Sequence, residues 1–181
     1  QKDIDLYFSS MVKSLGSLGG FICGDKNIIK YLRYNTRSQI FAKSVPLMVV
    51  EGMLKRMEMI KTRPELREKL WSNVKKLQGG LKERGFDIGH TNSPVTPVFM
   101  KGDIPEATAM VMDLRENYHI FCSIVVYPVI PKGDIIYRLI PTARHTDADI
   151  EETLNAFEAT KKKLDAGEYK VEHIPDMAEL S

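Results

Sequence analysis

The chain has 181 residues, 43% hydrophobic and 28% charged, which excludes a disordered or collagen-like chain and fits one ordinary domain or one and a half small ones. Its 26 Lys and Arg stand against 24 Asp and Glu, and a formal charge of +2 leaves no electrostatic footprint for nucleic acid. Two cysteines, Cys23 and Cys122, cannot build a disulfide framework and point to a reducing, cytoplasmic compartment, and no apolar run approaches the ~20 residues that span a bilayer. The sequence opens on Gln1, shows no signal peptide and reads at once as a strand, so a piece of a longer protein is expected.

Residues 3–9 predict a strand that runs into a small-residue stretch, Ser14 to Gly20. Phe21-Ile22-Cys23 is a short apolar strand, and Asp25 caps a predicted helix over 26–34 with Ile28, Ile29 and Leu32 as its apolar side. Val45 to Ile60 is apolar on most faces, holds four of the nine methionines and predicts a deeply buried helix. Thr62-Arg63-Pro64-Glu65 has capping-box spacing, and the helix it opens repeats Leu66, Leu70, Val74, Leu77 and Leu81 before Gly85 stops it. Val95 to Met100 predicts a strand that Pro97 confines to an edge or a strand start. Asp103-Ile104-Pro105-Glu106 opens a helix with Ala107, Met110, Val111 and Leu114 on one face. Ile120 to Tyr127 and Ile135 to Ile140 predict β-branched strands, the second holding Arg138. Thr146 opens a last helix with Ile150, Leu154, Phe157 and Leu164 inward and Gly167 as its stop.

From residue 86 the order strand, helix, strand, strand, helix predicts a compact α+β domain over 86–167, a small sheet covered by helices. Residues 1–44 predict the end of another domain's sheet, 45–85 connecting helices, and 168–181 a surface tail.

Lys13 is the most informative side chain. It follows a strand and precedes Ser-Leu-Gly-Ser-Leu-Gly-Gly, a tight loop poor in side chains where an amine can form a Schiff base with a carbonyl cofactor. Ser10 and the loop N–H groups can donate to a phosphate. On composition alone a surface lysine before a glycine turn stays open. His145 precedes the Thr146 cap and sets a loop, with a general base as the alternative. His90, His119 and His173 lack metal-ligand spacing, and both cysteines lie in apolar strands that read as core.

The stretch from Ser10 to Gly20 resembles the pyridoxal-phosphate lysine motif of the α-oxoamine synthases. The resemblance continues through Tyr31-Leu32-Arg33, Arg37 to Phe41, Glu65 to Trp71, Tyr127 to Gly133, Arg138 and Ala143 to Thr146. It implies a fold-type I pyridoxal-phosphate transferase, α/β in class. Residues 1–44 would end the large cofactor-binding domain, 45–85 connect, and 86–167 form the small C-terminal domain. It implies pyridoxal 5'-phosphate as cofactor, held by Lys13 and Ser10, and condensation of an amino acid with an acyl-CoA, usually with loss of CO2. Arg138 matches the family's arginine for the amino-acid carboxylate, a role that suits a planar two-point fork on a rigid strand; an arginine on the solvent face of the strand is the alternative, and the apolar neighbours Ile135, Ile136, Leu139 and Ile140 argue against it.

Two departures stand out. Val12 precedes the lysine where Ser or Gly is usual, and Lys43-Ser44 occupy the place of a hydroxyl that reaches the phosphate of the other subunit. Lys43 and Ser44 are therefore candidate phosphate contacts, and a homodimer with a shared active site is implied. Phe86 to Thr91 through Pro97 leans toward the serine palmitoyltransferases of sphingolipid biosynthesis (L-serine and palmitoyl-CoA to 3-ketosphinganine), with which peripheral membrane association is compatible. Tyr127 to Gly133 and Leu70-Trp71 lean toward 2-amino-3-ketobutyrate CoA ligase, and 8-amino-7-oxononanoate synthase is a further alternative. A non-catalytic partner subunit that kept the fold, or a small ligand-binding domain, are the readings of another class. The joint presence of Lys13 and Arg138 argues against the first, and the family order from Lys13 to His145 against the second.

Overall fold

The computed structural model describes residues 3–170, and the chain divides into two compact units, Gln1–Pro64 and Glu65–Ser181. In the first unit β1 (Leu6–Ser10) and β2 (Gly20–Gly24) form an antiparallel hairpin, with Leu6 opposite Gly24 and Ser10 opposite Gly20. Gly24 is required by space: a Cβ there would sit 2.8 Å from the Asp5 carbonyl oxygen. Three helices follow, α1 (Lys26–Asn35), α2 (Arg37–Phe41) and α3 (Leu47–Thr62). The Asp25 carboxylate accepts from the Asn27 N–H at 2.8 Å, the cap expected for α1.

Three expectations for this unit change. The deeply buried helix is not buried. In α3 only Met53 is enclosed, while Leu47, Met48, Leu54 and Ile60 are each more than half exposed. Apolar residues on most faces need cover on most faces, and the first unit supplies it on one. Cys23, read as core, is exposed on a two-stranded sheet. Thr62, expected at the start of the next helix, is the last residue of α3, its hydroxyl donating to the Glu58 carbonyl at 2.9 Å.

The second unit holds the core. Here α4 (Pro64–Glu83), α5 (Ile104–Asn117) and α6 (Asp147–Asp165) accompany a three-stranded antiparallel sheet, β3 (Thr96–Lys101), β5 (Asp134–Leu139) and β4 (Ser123–Val125) in that spatial order. Val98, Ile135, Tyr137 and Leu139 from the sheet are buried with Leu77, Leu81, Met110, Leu114, Leu154 and Phe157 from the helices. Helices α4 and α6 come close at Gly80, where a Cβ would meet Leu154 Cδ1 at 2.4 Å. The end of α4 is a Schellman motif: the Phe86 N–H reaches the Leu81 carbonyl at 3.0 Å, with Gly85 left-handed at φ +77°. Asp103 with Glu106, and Thr146 with Asp149, form complete capping boxes at the starts of α5 and α6.

The strand expected over 120–127 shrinks to Ser123–Val125, because the chain turns at Val126, whose carbonyl accepts from the Val129 N–H. Past α6, Tyr169 packs against the core and its hydroxyl donates to Asp113. The rest of the expected tail, 171–181 with His173, lies outside the described residues.

Candidate active site

Lys13 stands in the loop that joins β1 to β2, and backbone bonds stitch that loop shut. The Met11 N–H reaches the Gly19 carbonyl, Ser17 N–H the Met11 carbonyl and Gly16 N–H the Lys13 carbonyl, each at 3.0 Å. Gly16 (φ +51°) and Gly19 (φ +95°) make the two left-handed turns this needs. The backbone of Lys13 is thus fixed while its side chain is exposed, and among the described residues its ammonium has no ion-pair partner. Ser10 ends β1, and its Oγ accepts from the Val12 N–H at a long 3.5 Å, which leaves the hydroxyl proton free to donate.

Lys43 and Ser44 lie exposed in the segment between α2 and α3. A Cβ on Gly19 would touch Val45 Cγ2 at 3.6 Å, so this segment passes alongside the residue that closes the Lys13 loop. The loop, Ser10 and the Lys43-Ser44 segment therefore share one unit. A neighbouring cleft of about 430 Å³ is lined by Gly19, Gly20, Arg33, Ser38 and Gln39 among others, and Lys13 is not in its wall.

Arg138 belongs to the second unit. Along β5 the side chains of Ile135, Tyr137 and Leu139 are buried, which leaves Ile136 and Arg138 on the opposite face. The register places Pro97 of β3 and Ser123 of β4 on either side of Arg138, and Phe99 and Val125 on either side of Ile136. Arg138 Nε donates to Ser123 Oγ at 3.1 Å. Among the described residues the guanidinium has no carboxylate partner.

His145 sets a loop, as expected. Its Nδ1 accepts from the Thr142 N–H at 3.2 Å, and Asn73 Nδ2 donates to the Thr142 and His145 carbonyls, both at 2.9 Å. Asn73 and Ser123 escaped the sequence reading. The only trace of Asn73 is a polar residue just before the buried Val74 on the inward side of α4. Cys122 is buried, and burial pushes its thiol up to about 11. Among the described residues no cluster of three or more His, Cys, Asp or Glu could hold a metal, and no helix is long and apolar enough to cross a membrane.

Residues 1–157 match the family model "Aminotransferase class I and II". The chain is 59% identical over 170 residues to a cysteate-C-fatty acyltransferase of Capnocytophaga ochracea, covering 94% of this chain and 40% of that protein. It is 36% identical over 151 residues to a serine palmitoyltransferase of Sphingobacterium spiritivorum, covering 83% of this chain and 37% of that one. Among solved structures, the serine palmitoyltransferase of Sphingomonas wittichii superposes with a TM-score of 0.83 at 26% identity, over 91% of this chain and 41% of that one. A high-resolution structure of SPT with a PLP internal aldimine superposes with a TM-score of 0.82 at 30% identity, over 90% and 41%. The chain spans about 40% of the length of the curated relatives it matches.

Proposed function

The chain belongs to the aminotransferase class I and II family, and from that premise we propose that the complete protein is a pyridoxal-phosphate-dependent C-acyltransferase that condenses an amino acid with an acyl-CoA. Its fold is that of the fold-type I pyridoxal-phosphate transferases. The observation that carries the reading is Lys13: a primary amine without an ion-pair partner among the described residues, on a loop whose backbone is closed by three hydrogen bonds.

The donor set fits pyridoxal phosphate. Lys13 offers an amine for the aldehyde and Ser10 a hydroxyl for the phosphate of the same subunit, while Lys43 and Ser44 offer an ammonium and a hydroxyl for the phosphate of the neighbouring one. When bound, the cofactor supplies an electron sink that lets the substrate α-carbon attack the acyl thioester. Lys13 Nζ takes the proton from that carbon. Arg138 receives the amino-acid carboxylate on its two terminal nitrogens, since only its Nε is occupied. The amino acid is the finer point. Sequence motifs lean to serine, but the 59% identical relative is named for cysteate and the serine enzyme is 36% identical, so we place cysteate first and serine second, with a fatty acyl donor in either case. We also propose a cytoplasmic homodimer, with Lys43 or Ser44 reaching the phosphate across the subunit boundary.

The test is spectroscopic. In the complete protein, freed of bound amino acid, Lys13→Ala should abolish the imine absorbance and the protein-linked adduct that borohydride traps. A trapped adduct on a different lysine would overturn the assignment.

A further inference from the structure

We infer that Ser123 is a positioning residue for the carboxylate-binding arginine, an inference that rests on the reading of Arg138 given above. An arginine on the open face of a strand ordinarily samples many rotamers, and ordering it on ligand binding costs free energy. Here the antiparallel register sets Ser123 directly opposite Arg138, and the Arg138 Nε–H donates to Ser123 Oγ at 3.1 Å. A one-residue slip would turn Ser123 inward, where Cys122 is buried.

Ser123 is also the one hydrogen-bonding side chain among the face neighbours that register gives Arg138. The residue across on β3 is Pro97, and the next row is Phe99, Ile136 and Val125, all apolar. The tie engages Nε and leaves the Nη1 and Nη2 pair, the half of the fork that takes a carboxylate in two parallel bonds.

The chemistry of the acceptor matters as much as its place. A hydroxyl orients the guanidinium without neutralising it. A carboxylate at 123 would orient it equally well but would occupy the fork and repel an incoming carboxylate. The geometry therefore calls for a neutral acceptor here, and makes three different predictions for Ala, Thr and Asp at this position.

The experiment titrates the complete holoenzyme with its amino-acid substrate and reads the dissociation constant from the cofactor spectrum. Ser123→Ala should raise that constant about three- to tenfold, with a smaller change in kcat at saturation. Ser123→Thr keeps the hydroxyl and should restore near-native affinity, whereas Ser123→Asp should be weaker than Ser123→Ala. Adding Ser123→Ala to Arg138→Ala should weaken binding no further. The amine that lacks the carboxylate should bind all the Ser123 variants alike, which a merely structural effect would not allow. An unchanged constant in Ser123→Ala, while Arg138→Ala raises it about tenfold or more, would overturn the role of Ser123 and leave Arg138 in place. No change in Arg138→Ala would instead remove the reading of Arg138 itself. Equal weakening of the carboxylate-free amine by Ser123→Ala would make Ser123 a packing residue and overturn the inference.

Discussion

Charged side chains in the second unit are held in two opposite ways. Arg138 is oriented by a neutral hydroxyl and keeps its charge uncompensated, whereas Asp113 is surrounded by donors. Burial alone would push the Asp113 carboxyl up, but hydrogen bonds from Lys163, Tyr169 and Asn117 outweigh it and hold the group below its ordinary value. A carboxyl with a depressed folded pKa contributes stability that is present above its unfolded value of about 4 and is lost as pH falls through the folded value. The urea midpoint should therefore drop as pH falls below about 4, and Asp113→Asn should flatten that drop while lowering the midpoint at neutral pH. An unchanged acid limb in Asp113→Asn would show that other carboxyls carry it. Of the residues discussed, Lys13 and Arg138 stood out in sequence as an amine before a glycine loop and a cation in an apolar strand, and it was the family resemblance that gave each its expected role. Ser123 was not, because it stands fifteen positions from Arg138 and only the β4–β5 register pairs them.

At the level of elements, helix ends were the most legible part of the chain, since Asp25, Asp103 and Thr146 act within three residues of their own backbone partners. Extent and burial were harder. The strand expected over 120–127 contracts because the turn at Val126 competes with β-branched propensity, and α3 showed apolar residues without saying what would cover them. Neighbouring glycines in α4 separate propensity from packing. A Cβ on Gly79 would meet nothing within 4 Å, so Gly79→Ala should gain up to about 1 kcal/mol of helix propensity. A Cβ on Gly80 would collide with Leu154, itself buried and unable to swing aside, so Gly80→Ala should lose about 1–3 kcal/mol to overpacking, less the propensity gain. Thermal midpoints that move in opposite directions would bear this out. Two midpoints that both rise would mean α4 and α6 separate easily.

For the whole molecule, the contrast between the units governs what to expect. Met53 is the one buried apolar side chain of the first unit among the described residues, and every other belongs to the second. The proposed homodimer gives the exposed side chains of α3 a means of cover and makes cofactor binding depend on assembly. Lys43→Ala should raise the pyridoxal-phosphate dissociation constant severalfold without unfolding the protein, by equilibrium dialysis alongside sedimentation. A complete protein that is monomeric at micromolar concentration and binds cofactor normally would exclude the dimer model, and a persistent dimer indifferent to Lys43→Ala would move the contact to Ser44. The small sheet adds a consequence for solution behaviour. The free side of β3 is already met at Phe99, whose N–H donates to the Asp87 carbonyl at 2.8 Å, Pro97 has no N–H to offer, and β4 at the other border is three residues long. A strand from another molecule finds no continuous row of donors and acceptors on which to grow. The borders of this three-stranded sheet are therefore closed to cross-β addition, and gatekeeper charges placed along them would change the solubility of the second unit little.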